Sequence, residues 1–160
     1  MANGPESVST PRFDLPVVDD STQPYWDGLA KGVLRLKRCG DCGRAHFYPR
    51  PFCPHCWSEQ VHWEDASGRG VVYTFSVIRA NDLPPFGPRV PYVAAVVELA
   101  EGPRVMTNLV DCEVDAVRIG LPVVLAPREV DGLRLAYFRP ASVDDRPPDP
   151  EASGPTPAGG

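Results

Sequence analysis

Apolar residues recur with a period of two over most of the second half of the chain. The segments 70–78, 92–99, 104–110, 122–126 and 133–138 each alternate or run apolar, are rich in Val, Leu and aromatics, and are bounded by Gly, Pro or Asp. That is the signature of half-buried β-strands. Glu101-Gly102-Pro103 punctuates the second and third as a hairpin turn, and a short connection at 113–117 separates the third from the fourth. Five such segments predict a small closed barrel of the OB type, with a small β-sandwich as the competing arrangement.

Upstream the pattern changes. Tyr25, Trp26, Leu29 and Ala30 fall on one helical face, behind a capping residue at Ser21 or Thr22 and a proline in the first turn, so a short amphipathic helix is expected there. Residues 33–38 then alternate apolar and basic side chains and lead directly into Cys39, as a strand would feed a metal knuckle. The two ends carry no period. Residues 1–20 read as a flexible arm, and residues 141–160, dominated by Pro, Gly, Ala and Asp, as a disordered tail. The expected organisation is therefore a mainly β chain: arm 1–20, helix plus ribbon 21–65, barrel 66–140 and tail 141–160.

Composition narrows the function classes. With 160 residues the chain fits one ordinary domain or two small modules sharing a core, and 20 prolines and 14 glycines disfavour long helices. A net charge of −5 withholds the basic footprint that drives nucleic-acid binding. No apolar run approaches the ~20 residues of a membrane span, and the N-terminus lacks the pattern of a secretory signal. A cytoplasmic protein without membrane association is expected.

The chemistry is concentrated in four cysteines. Cys39-Gly-Asp-Cys42 and Cys53-Pro-His-Cys56 form two C-x-x-C pairs ten residues apart, so two tight turns can aim four sulfurs at one centre. Soft thiolates at tetrahedral corners select zinc, or less readily iron, and a site filled by four protein sulfurs leaves no open position for Lewis-acid catalysis. A structural zinc site is expected, against disulfides or free thiols. Gly43 lets the first knuckle turn, whereas Trp57 stands at the equivalent place in the second. Cys112 reads as a small buried hydrophobe. His46, His55 and His62 read as solvent-facing or hydrogen-bonded side chains. Glycine-rich phosphate loops, HExxH pairs and G-x-S-x-G elbows are absent from the sequence, and no general base is nominated.

Two further features bear on binding. In residues 31–50 six cations, Lys31, Arg35, Lys37, Arg38, Arg44 and Arg50, face the single acid Asp41, a patch that either screens the anionic metal site or holds phosphates of a nucleotide-like cofactor. The linker Phe47-Tyr48-Pro49-Arg50-Pro51-Phe52 packs three aromatics between prolines, suited to a rigid docking surface and to the mini-core of a ribbon. Lys37, Arg38, Phe47, Tyr48, Arg50 and Phe52 are thus the candidates for holding a nucleotide-like cofactor or docking a partner. The proline-rich loop 81–89 would leave Leu83 and Phe86 exposed unless something covers them.

Taken in order, Tyr25-Trp26-Asp27-Gly28-Leu29, Arg38-Cys39-Gly40-Asp41-Cys42-Gly43, 47–56, 68–75, Pro91-Tyr92-Val93, Thr107-Asn108-Leu109-Val110 and 118–123 resemble the family catalogued as domain of unknown function 35. The resemblance spans roughly residues 22–140. It implies an N-terminal helical segment, a rubredoxin-like zinc ribbon and an OB barrel. It further implies a non-catalytic accessory subunit that forms a hetero-oligomer with a thiolase-like or lipid-transfer-protein-like enzyme, such as a steroid side-chain aldolase or a ketoacyl-CoA thiolase, with acyl-CoA at the shared interface. Catalytic residues of such assemblies belong to the partner, so none is assigned to this chain. Two other readings, a single-stranded nucleic-acid binder and a rubredoxin-like electron carrier, stand beside it.

Overall fold

A computed structural model describes residues 15–145. The expected arm therefore lies largely, and the expected tail mostly, outside the described residues. Helix α1, Gln23–Ala30, opens with Pro24 in its first turn, where a missing N–H costs nothing. Neither Ser21 nor Thr22 caps it through its side chain; instead the Asp19 carboxylate accepts from the Thr22 N–H at 3.0 Å and from the Ser21 hydroxyl at 2.6 Å. At the far end Gly32, at φ +81°, turns the chain. The Gly32 N–H donates to the Leu29 carbonyl at 3.0 Å and the Val33 N–H to the Gly28 carbonyl at 2.8 Å, a Schellman closure. The helix lies so close to the following segment that a Cβ on Gly28 would meet the Val33 carbonyl at 2.8 Å.

The ribbon is a three-stranded antiparallel sheet of order β2-β1-β3, where β1 is Arg35–Cys39, β2 Ala45–His46 and β3 Val61–Asp65. The barrel is closed: β4 (Arg69–Ile78), β5 (Tyr92–Leu99) and β6 (Arg104–Leu109) form an antiparallel meander. Next, β7 (Pro122–Leu125) returns beside β4, and a final strand seals the gap between β6 and β7. Closure leaves no free edge among these five strands, and it decides between barrel and sandwich. Along β5 burial alternates strictly, with Val93, Ala95, Val97 and Leu99 inward. At Gly70 the wall is too tight for any side chain, because a Cβ would stand 2.5 Å from the Glu98 carbonyl oxygen.

The fifth strand differs from expectation. Rather than closing the barrel, Leu133–Leu135 (β9) pairs with Arg128–Val130 (β8) in a separate hairpin, and the closing strand is Phe138–Pro140 (β10), parallel to β6 and antiparallel to β7. The cause is Asp131-Gly132, whose φ values of +46° and +82° make a two-residue turn that matches the strand twist and folds the segment back early.

One core serves the whole molecule. Leu29 from α1, Leu34 and Leu36 from the ribbon, and Val72, Val97, Val123 and Phe138 from the barrel are all essentially inaccessible and belong to one packed cluster. The ribbon is consequently a rigid projection of the barrel, held by buried leucines. Among the described residues, no helix is long and apolar enough to cross a membrane.

Candidate metal centre and ribbon surface

The two C-x-x-C turns are built alike. In the first, the Gly43 N–H donates to the Cys39 carbonyl at 3.0 Å; in the second, the Trp57 N–H donates to the Cys53 carbonyl at 2.9 Å. Both donors sit in the left-handed region, Gly43 at φ +70° and Trp57 at φ +64°. The Trp therefore preserves the knuckle symmetry by accepting a conformation that costs a residue with a Cβ about 1–2 kcal/mol. Asp41 accepts from the Ser58 hydroxyl at 2.5 Å, and the Gly40 N–H donates to the Gln60 carbonyl at 2.7 Å, so the first turn is tied to the segment that leads from the second turn into β3.

These turns bring all four sulfurs within 4.8 Å of one another, with Cys39 and Cys53 buried and Cys42 and Cys56 at the surface. The Cys39–Cys56 and Cys42–Cys53 sulfur separations are 3.6 and 3.7 Å. A tetrahedron with metal–sulfur bonds of about 2.3 Å has edges of about 3.8 Å, whereas a disulfide needs about 2.05 Å. The residues fit one four-sulfur metal ion and no cystine. Backbone donors point at the sulfurs, as with the His55 N–H 3.4 Å from Cys53 Sγ. N–H groups of Cys42, then Asp41, draw the Cys39 thiol down to about 7. At Cys56 the Ser58 N–H pulls the same way, but burial and the crowding of the other three sulfurs prevail and push it up to about 12. Four thiolates at this spacing need a cation between them.

The cationic stretch around the knuckles is more neutralised than its sequence window suggests. Arg35 pairs with Asp65 at 2.7 Å, and the Arg38 guanidinium grips Glu64 with two nitrogens while donating to the Gly43 carbonyl at 2.6 Å. Both acids come from β3, beyond the window; antiparallel register places Asp65 directly opposite Arg35, and Glu64 diagonally from Arg38, two residues along from His62, which stands opposite Arg38. Lys37 lies 4.4 Å from the centre of the Trp63 ring, and burial lowers its pKa. Arg44 and Arg50 are exposed and make no ion pair among the described residues.

The aromatics of the linker point in different directions. Phe47 packs against the core and lies 5.7 Å from Tyr25, which burial, then the neighbouring Tyr48, pushes up to about 12. Tyr48 is 57% exposed, its ring centre 4.7 Å from that of Phe47. Phe52 stacks on Trp57 at 5.5 Å with an interplanar angle of 17°, and Trp57 is 75% exposed. Trp57 was thus the part of this surface that the sequence reading passed over; the signal available was a bulky aromatic where its sister knuckle has Gly. His46 is buried rather than solvent-facing, with the Arg50 backbone beside it. In the proline-rich loop Leu83 is exposed, while Phe86 is half covered by Arg89, 5.7 Å from its ring.

Two family models match the chain in succession: the ChsH2 rubredoxin-like zinc ribbon domain over residues 26–62 and the ChsH2 C-terminal OB-fold domain over residues 63–126. A solved structure titled Ltp2-ChsH2(DUF35) aldolase superposes with a TM-score of 0.70 at 37% identity, covering 80% of this chain and all of that one. The chain belongs to the DUF35 family. Other relatives are a probable enoyl-CoA hydratase alpha subunit of Thermomonospora curvata, 39% identical over 79% of this chain and 39% of that protein, and the benzoylsuccinyl-CoA thiolase subunit BbsA of Geobacter metallireducens, 36% identical over 65% of this chain and 62% of that protein. The chain thus spans about two fifths of the first of these relatives. Ribbon and OB barrel are family features, and the four cysteines lie inside the ribbon model.

Proposed function

We propose that this chain is a non-catalytic accessory subunit that docks onto a thiolase-like enzyme acting on acyl-CoA thioesters, in the cytoplasm, with zinc as the structural metal of its ribbon. The observation that carries the reading is a rigid ribbon, clamped by four sulfurs and rooted in the barrel core, that exposes aromatic side chains instead of burying them. Exposed, preorganised Trp and Tyr are the residues on which interfaces concentrate their binding energy. The names of relatives support the choice of partner: subunits of CoA-dependent enzymes and a member of an aldolase assembly. Zinc is favoured by the tetrathiolate geometry and by the description of the ribbon model.

In this arrangement Tyr48 and the Phe52–Trp57 stack contact the partner. Of the cationic candidates, exposed Arg50 is the one set to face the acyl-CoA at the shared interface, since Arg38 is held by Glu64 and Lys37 lies against the Trp63 ring, while Phe47 supports the surface from beneath. Co-expression with a thiolase-fold protein of the same organism should give a complex that survives affinity purification and gel filtration. Separate elution of the two proteins across salt and concentration would overturn the proposal.

A further inference from the structure

Where the end of β6 meets the proline-rich loop, Phe86, Tyr92, Leu109, Val110 and Tyr137 wall a cavity of about 200 Å³, with exposed Arg89 also on its lining. An apolar cavity of about 150 Å³ accepts a benzene ring, so this one has room for a ring of that size. The Asn81 amide donates to the Tyr92 hydroxyl at 3.0 Å and holds that wall in place. Arg89 lies 5.7 Å from the centre of the Phe86 ring and makes no ion pair among the described residues. Aromatic faces gathered in one depression are the means by which proteins take proline rings, because a proline-rich segment is extended beforehand and loses little entropy on docking. The site therefore suits rigid apolar rings with an acid beside them.

The chain itself supplies such a segment. Beyond Asp145 the sequence continues Arg146-Pro147-Pro148-Asp149-Pro150-Glu151. Three residues per turn in the polyproline conformation put Pro147 and Pro150 on one face, with Asp149 to the side. The starting point of this segment is fixed close to the cavity. The Asp145 carboxylate accepts from the Arg139 guanidinium at 2.8 and 2.9 Å and from the Ser142 N–H at 2.7 Å. Arg139 stands two residues from Tyr137 of the cavity wall, about 7 Å along an extended backbone. A proline-rich run advances about 3.1 Å per residue, so residues 146–150 cover about 15 Å, which matches that step plus one arginine side chain. Tethering raises the effective concentration to the millimolar range, so a weak contact is enough to fill the site.

We propose that this cavity is the docking site of the chain's own proline-rich segment 146–150, with Pro147 and Pro150 seated against Tyr92 and Tyr137 and Asp149 paired with Arg89. The contact belongs to this chain alone and stands whichever enzyme the ribbon meets.

The zinc-loaded full chain is examined by NMR for nuclear Overhauser contacts between the rings of Pro147 and Pro150 and those of Tyr92 and Tyr137. Such contacts, with Tyr137 ring shifts that do not change on dilution, are expected. Arg89→Glu or Asp149→Arg alone should lower the bound-to-free ratio, read from the Tyr137 ring shifts, about fivefold, the worth of an exposed ion pair, and the two together should restore it. Pro147→Gly combined with Pro150→Gly should move the Tyr92 and Tyr137 ring signals, whereas Arg118→Glu, outside the cavity, should leave them in place. Ring shifts that change on dilution identify a second copy as the occupant and overturn docking within one chain. Absence of the contacts, equal effects of Arg89→Glu and Arg118→Glu, or a double charge swap that restores nothing would each overturn the assignment.

Discussion

Replacing Trp57 by glycine should separate folding from docking, because this residue is disfavoured on the first count and valuable on the second. In the free chain its left-handed backbone costs about 1–2 kcal/mol, which glycine recovers. Against that stand the lost stack on Phe52, about 0.5–1.5 kcal/mol, and the extra freedom of glycine in the unfolded chain, about 0.5–1 kcal/mol. These terms nearly cancel, so stability should move by no more than about 1 kcal/mol. In the complex, truncating a central aromatic anchor costs about 2 kcal/mol or more, roughly a thirtyfold rise in Kd. The assay pairs chemical denaturation of the zinc-loaded chain with calorimetric titration of the partner. Trp57→Ala is the control: it keeps the strain, loses the stack, and should be less stable than Trp57→Gly while docking equally poorly. A stability loss above about 2 kcal/mol in the glycine variant, or an unchanged Kd, would refute the reasoning.

Other consequences follow from the same geometry. Cys42→Ser should abolish stoichiometric zinc and lower the thermal midpoint while barrel circular dichroism persists, as read by metal analysis and melting curves. Metal should also be released as pH falls, since protons compete for the four sulfurs, with a chromophoric chelator reporting the release. Gly70→Ala should destabilise the barrel by about 2–3 kcal/mol or prevent folding, because its methyl would stand 2.5 Å from the Glu98 carbonyl oxygen. Tyr25 should ionise near 12 instead of 10.0 in a spectrophotometric titration. The folded state then holds the proton longer than the unfolded one, so this residue lowers stability as pH rises from 10.0 towards 12.

How much of this was legible in the sequence depended on whether the controlling contacts were local. The period-two burial of β5 and the four cysteines with their spacing are local signals, and both translate directly into structure. Gly32, which ends the helix at φ +81°, is a local signal of the same kind that the sequence reading did not use. Asp131-Gly132 was equally local and was passed over, which merged a hairpin and a barrel strand into one segment. Other features are invisible to any window. Glu64 and Asp65 neutralise Arg38 and Arg35 from 26 and 30 residues away, a consequence of strand register. His46 is buried because ribbon and barrel meet around it, and residue order alone does not show that meeting. Phe47 and Tyr48 are neighbours of like chemistry, and backbone direction alone sends one inward and the other outward.

The central claim is that a zinc-clamped ribbon docks this chain onto a thiolase-like enzyme. Native mass spectrometry of the chain co-expressed with a thiolase-fold protein of the same organism reads partner and metal together. The expected species is a hetero-oligomer whose mass includes one zinc ion for each copy of this chain. A chain that flies alone, or a complex whose copies of this chain carry no metal, would contradict it.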